Sequence, residues 1–126
     1  MKLPRAIAAL MDEPAPKAQL TAHWRPVLYV PDAAVGERVA IGVVVTPLRG
    51  PVRHRFIADH QPLAALWGQQ VTRNLPFLIE HMVAVIERGD TPSTPDLLLG
   101  EARELWGVDP EEGLASLFSR VCKGRS

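Results

Sequence analysis

The chain has 126 residues, a common size for one domain and too short for two comfortable ones. Hydrophobic residues make up 47% of it and charged residues 22%, so it can bury a core without disulfides or metals. Lys+Arg and Asp+Glu number 14 each, and that balance argues against strong generalised attraction to nucleic acid or anionic membrane, while leaving little charge repulsion against self-association.

The first residues do not read as a secretion signal. Met1-Lys2-Leu3-Pro4-Arg5 leads into an apolar stretch from Ala6 that ends before Asp12-Glu13, which is too short for that role. Two further prolines, Pro14 and Pro16, then forbid a helix. The expectation is an arm or short helix plus linker over residues 1–22, and a single α+β domain over 23–126.

His23 to Val30 reads as a strand, because Trp24, Val27, Leu28, Tyr29 and Val30 favour extended backbone. Pro26 has no amide hydrogen, so this strand is expected to start after it or to lie on an edge. Pro31-Asp32 closes the run. Gly36 is expected to supply a turn conformation that other residues resist. Arg38 to Thr46 is the strongest strand signal. Its apolar residues fall on both alternating faces, which marks a central strand buried on both sides. After the Pro47-to-Pro51 turn, Val52 to Ala58 resumes as a strand. Val52, His54, Phe56 and Ala58 share one face, and Arg53, Arg55 and Ile57 share the other. Such short loops demand mainly antiparallel pairing.

The period then changes. Pro62 to Trp67 fits one or two helical turns. Leu75, Leu78, Ile79, Met82, Val85 and Ile86 recur at helical spacing and predict a helix over about 74–88. Thr72 or Asn74 is its expected cap, Pro76 sits in its first turn, and Gly89 is its stop. Asp96 to Trp106 reads two ways: a helix with Leu98, Ala102 and Leu105 on one face, or a short strand at Leu97-Leu98-Leu99. Asp109-Pro110-Glu111-Glu112 opens a last helix with an N-cap, a first-turn proline and a third-position acid. Leu114, Leu117, Phe118 and Val121 form its apolar stripe. The fold expected is therefore an antiparallel sheet of three or four strands with two main helices on one face. The second face of the central strand would be left for the N-terminal arm or a partner to cover.

The common catalytic motifs do not occur. His23, His54, His60 and His81 form no helical ligand pair, and no cysteine lies beside one. Cys122, the single cysteine, lies near the negative end of the last helix, where a thiolate is disfavoured. It rules out an intrachain disulfide and suits a reducing cytoplasm. Gly-rich phosphate loops and a Gly-x-Ser-x-Gly elbow are absent. No catalytic residue, metal or cofactor is expected on these grounds. Two features stand out as candidate ligand or partner sites. One is a basic arm, Arg49, Arg53, His54 and Arg55, able to hold phosphates or an acidic partner. The other is Asp32 to Glu37, with Arg38 next to it, in which Glu37 is expected either to bond loop amides or an arginine such as Arg38 or Arg55, or to face a ligand.

The second segment also carries a resemblance. Tyr29-Val30-Pro31-Asp32, then Gly36-Glu37-Arg38-Val39-Ala40-Ile41-Gly42-Val43-Val44-Val45, resembles the bacterial family catalogued as domain of unknown function 3037. Arg53 with Phe56, and Leu117-Phe118 with Val121, are similar to later parts of its pattern, and the likeness spans about residues 24–122. The family's usual Asn falls on Ala40 here, so any polar role of that Asn is lost or met otherwise. The resemblance implies strand over helix around 97–105. It also implies an accessory role beside a HipA-like kinase, in a toxin–antitoxin, stress or defence setting. The expected function is a non-enzymatic protein-binding module, its partner another protein or a second copy of itself. Nucleic-acid association through Arg25, Arg49, Arg53 and Arg55 is the second reading. An enzyme using Glu37 or Asp59-His60 is the third.

Overall fold

A computed structural model describes residues 19–32, 34–92 and 94–123 of the chain. The fold is α+β. Strands β1 (Leu20–Tyr29), β2 (Val39–Pro47) and β3 (Arg53–Phe56) come first, followed by helices α1 (Gln61–Trp67) and α2 (Gln70–Glu87). Strands β4 (Leu97–Leu99) and β5 (Arg103–Trp106) and helix α3 (Pro110–Val121) complete it. All strand pairs are antiparallel, in the order β3-β2-β1-β4, with β5 also on β1.

β2 is the apolar centre the sequence predicts. Ile41, Val43 and Val45 are fully buried and Val44 nearly so. Each such side chain contributes about 1.5–3 kcal/mol of burial free energy. Both faces of β2 are covered from within the chain, which corrects the expectation of two helices on one face and a vacant second face. Alternation along β3 makes the division plain. Arg53 pairs with Glu111 and Arg55 lies over Phe118, both on α3. His54, on the opposite face, pairs with Glu87 at the end of α2. The sheet is thus sandwiched, with α3 on one face and α2 on the other. The physical reason is β2 itself: a strand apolar at both parities needs two apolar covers.

β1 extends further than expected. It starts at Leu20, so the last residues assigned to the arm belong to the sheet; residues 1–18 lie outside the described residues. It is also central rather than an edge, and it runs straight through Pro26, which stands opposite Val43 of β2. The Pro26 carbonyl accepts from the Gly100 amide at 2.8 Å. A strand residue points its nitrogen and carbonyl to the same side. The missing donor therefore faces the break between β4 and β5, where the ladder is interrupted anyway. A side chain at position 100 would put its Cβ 2.6 Å from Pro26 Cγ, so the glycine and the proline fit as a pair.

Residues 97–99 and 103–106 are strands, as the resemblance implied. α2 begins at Gln70 with Gln69 as its cap, neither Thr72 nor Asn74, and Pro76 lies inside the helix beyond its first turn. It ends as expected at Gly89, whose φ of +85° permits the closing bonds from Gly89 N to Ile86 O and from Asp90 N to Val85 O. The Asp109 carboxylate caps α3 by accepting from Glu111 N at 2.9 Å and Glu112 N at 3.3 Å. Cys122 is fully buried.

Candidate protein-docking site

After Asp32 the chain turns over Ala34, Val35 and Gly36. The Asp32 carboxylate accepts from Ala34 N at 3.0 Å, and its carbonyl accepts from Val35 N and Gly36 N. Gly36 takes φ +82°, as expected of a left-handed turn position. Glu37 is exposed, and its Oε1 accepts from Trp67 Nε1 at 3.3 Å. That corrects the expected bond to an arginine or to loop amides. Arg55 is held 4.6 Å from the centre of the Phe118 ring on β3's far side, whereas α1 delivers Trp67 to the start of β2. Arg38 is exposed beside Glu37. Ala40 is half-buried opposite Leu28, next to the irregularity that lets β1 and β2 shift register.

The basic arm does not assemble into one surface. Strand alternation sends Arg53 and Arg55 to the α3 face and His54 to the α2 face. Each meets a partner there: Glu111, the Phe118 ring and Glu87, the last at 3.2 Å. Arg49 stays exposed in the turn between β2 and β3, and Arg25 donates through Nε to the Gly100 carbonyl at 2.8 Å.

Asp59 and His60 do not form an acid–imidazole pair. The Asp59 carboxylate accepts from the Gln61 amide at 3.0 Å, while His60 Nε2 donates to the Ile57 carbonyl at 3.3 Å. Among the described residues no group of three His, Cys, Asp or Glu side chains could share a metal ion.

Among the described residues the most exposed large apolar side chain is one that helical periodicity alone does not single out. Phe77 is 72% exposed at the middle of α2. At 100° per residue it lies diametrically opposite the buried stripe of Leu75, Met82 and Ile86. Its signal was therefore available: a large aromatic set squarely on the polar side of an amphipathic helix. Phe77 forms a ridge between two hollows. One, of about 420 Å³, is mostly apolar and is lined by Phe56, Ile57, His60, Pro76, Ile79 and Glu80 among others. The other, of about 380 Å³, is more polar and includes Tyr29, Gln70, Asn74, Leu78 and Asp96. Burial, and then the charge of Asp96, push the Tyr29 phenol above its ordinary value of 10.0.

No helix among the described residues is long and apolar enough to cross a membrane. No protein-family model, no curated protein and no solved structure matches this chain.

Proposed function

We propose that this chain is a non-enzymatic protein-binding accessory module, akin to the domain of unknown function 3037 family, with the exposed face of α2 as its docking surface. The observation that carries the reading is Phe77, a fully presented aromatic beside a hollow of about 420 Å³ with apolar walls. Interfaces draw their binding energy from such aromatic anchors set against a pocket. The polar candidates support it from the other side. Asp32, Arg53, His54, Arg55 and Asp59 are each engaged in holding the fold. The family resemblance adds the setting, a toxin–antitoxin, stress or defence system, with a HipA-like kinase or a second copy of this chain as the partner.

The test is co-purification of the full chain from its native host, with Phe77→Arg run in parallel. A partner captured by the natural chain and lost with Phe77→Arg is the expected result. Equal capture by both chains, or capture of nothing by either, would overturn the reading.

A further inference from the structure

We infer that the exposed face of α2 docks against the same face of a second copy of this chain, as an antiparallel helix pair about a two-fold axis at Phe77. This rests on the protein-binding reading above and names the occupant of that surface.

The argument is the placement of charge. Gln70, Arg73, Asn74, Phe77, Glu80 and His81 are all exposed along one face of α2. With 100° and 1.5 Å per residue, Arg73 lies about 40° to one side of Phe77 and about 6 Å before it. Glu80 lies about 60° to the same side and about 4.5 Å beyond it. Asn74 and His81 take the corresponding places on the other side. A two-fold axis perpendicular to α2 reverses height along the helix and keeps the side. Arg73 then faces the partner's Glu80, and Asn74 faces the partner's His81, with a mismatch of only about 1.5 Å along the axis. The two aromatic rings meet at the centre, where offset or edge-on contact is favourable. The surface is complementary to itself in this antiparallel pairing, whereas a parallel copy would leave Arg73 opposite Asn74 and form no Arg73–Glu80 pair.

Three further observations agree. The ion pairs among the described residues are Arg53–Glu111, His54–Glu87 and Arg88–Asp90, so Arg73 and Glu80 are available to a second chain. The hollows that flank Phe77 extend the contact beyond a single helix. The sheet edges are poor alternatives. β3 is four residues long and bears Arg53, His54 and Arg55, while the opposite edge is broken between β4 and β5 at Gly100. Short, charged and interrupted edges resist strand addition.

The experiment is sedimentation velocity with light scattering on the full chain over a wide concentration range. The variants are Phe77→Arg, Arg73→Glu, Glu80→Arg and the double exchange Arg73→Glu with Glu80→Arg. The natural chain should dimerise reversibly. Each single reversal sets like charges against each other twice and should raise the dimer Kd at least about tenfold. The double exchange should restore the dimer, and no merely structural role would produce that rescue. Circular dichroism checks that each variant is folded, as expected for exposed positions. A chain that stays monomeric throughout overturns the inference, as does a dimer indifferent to these changes or one not rescued by the double exchange. A monomer that still captures another protein through Phe77 overturns the self-docking alone and leaves the proposed function standing.

Discussion

The ring of Pro26 occupies the space that a side chain at position 100 would need. A Cβ there would lie 2.6 Å from Pro26 Cγ and 3.1 Å from Cδ. The same junction holds the bond from Gly100 N to Pro26 O and the bond from Arg25 Nε to the Gly100 carbonyl, both 2.8 Å. Gly100→Ala should therefore lower stability by about 1–3 kcal/mol, the range for overpacking a tight site. Denaturant unfolding of Gly100→Ala in the natural and in the Pro26→Ala background gives the check. The cost should shrink when the ring is absent, because the two positions are in contact. An equal cost in both backgrounds would mean that the ring is not the obstacle.

Tyr29 makes stability fall at alkaline pH. Its phenol titrates above 10.0 in the fold, first because it is buried and second because Asp96 is near. Folding thus favours the neutral form. The contribution is complete below the unfolded value and is lost as pH rises through the folded one. Tyr29→Phe keeps the ring and removes the titration, so its unfolding free energy should fall less steeply above about pH 10. Tyr29 is the only tyrosine, so tyrosinate absorbance reads it directly. Asp96→Asn should bring the midpoint part of the way down and leave the larger burial effect in place.

These two sites show what could and could not be read in advance. β2 was legible because β-branched residues at both parities suit a buried strand. α3 was legible because Asp109-Pro110 announces a helix start whose carboxylate then caps it. The extent of β1 was not, because a proline was counted against the ladder. What decides the matter is which side its missing donor faces, and that depends on a break some 75 residues later in the chain. The start of α2 is obscured for a related reason: Pro76 suits a first turn, yet packing carries the helix back to Gln70. The assignment of each helix to a face is non-local and leaves no trace in helical periodicity. In the candidate sites, Gly36 was read correctly from its conformational freedom. The basic arm was misjudged because sequence neighbours on a strand point to opposite faces. Phe77 lies outside the apolar stripe, so the helical periodicity that defines the stripe does not mark it.

Asp109 and Glu111 are both acids at the start of α3, yet they should differ in worth. Asp109 satisfies two otherwise unpaired amides, and Asp109→Ala should cost about 1 kcal/mol. Glu111 pairs with Arg53, but the two side chains are 62% and 41% exposed. Solvent screens such a pair, so Glu111→Ala should cost about 0.5 kcal/mol or less and fade further in salt. Thermal unfolding at low and high ionic strength separates the two. A larger loss at Glu111 than at Asp109 would reverse the ranking and make the ion pair, not the cap, the main tie between β3 and α3.

Arg55 decides between packing and anion binding for the basic arm. Its guanidinium lies 4.6 Å from the centre of the Phe118 ring, and Phe118 is itself buried against the sheet. A cation over an aromatic face at an exposed site contributes about 0.5–1 kcal/mol, and the aliphatic stem covers apolar surface as well. Arg55→Ala should therefore lower stability by about that amount, while Arg49→Ala, in the exposed turn, should leave it unchanged. Neither substitution should alter binding to duplex DNA or RNA, because the arm's side chains are split between two faces and Arg53 and His54 already face carboxylates. Mobility shift at low salt is the direct measurement. Tight binding that falls steeply with added salt and weakens with both alanine variants would restore the arm as a phosphate-binding surface, since removing one phosphate-binding cation should flatten the salt slope by about one.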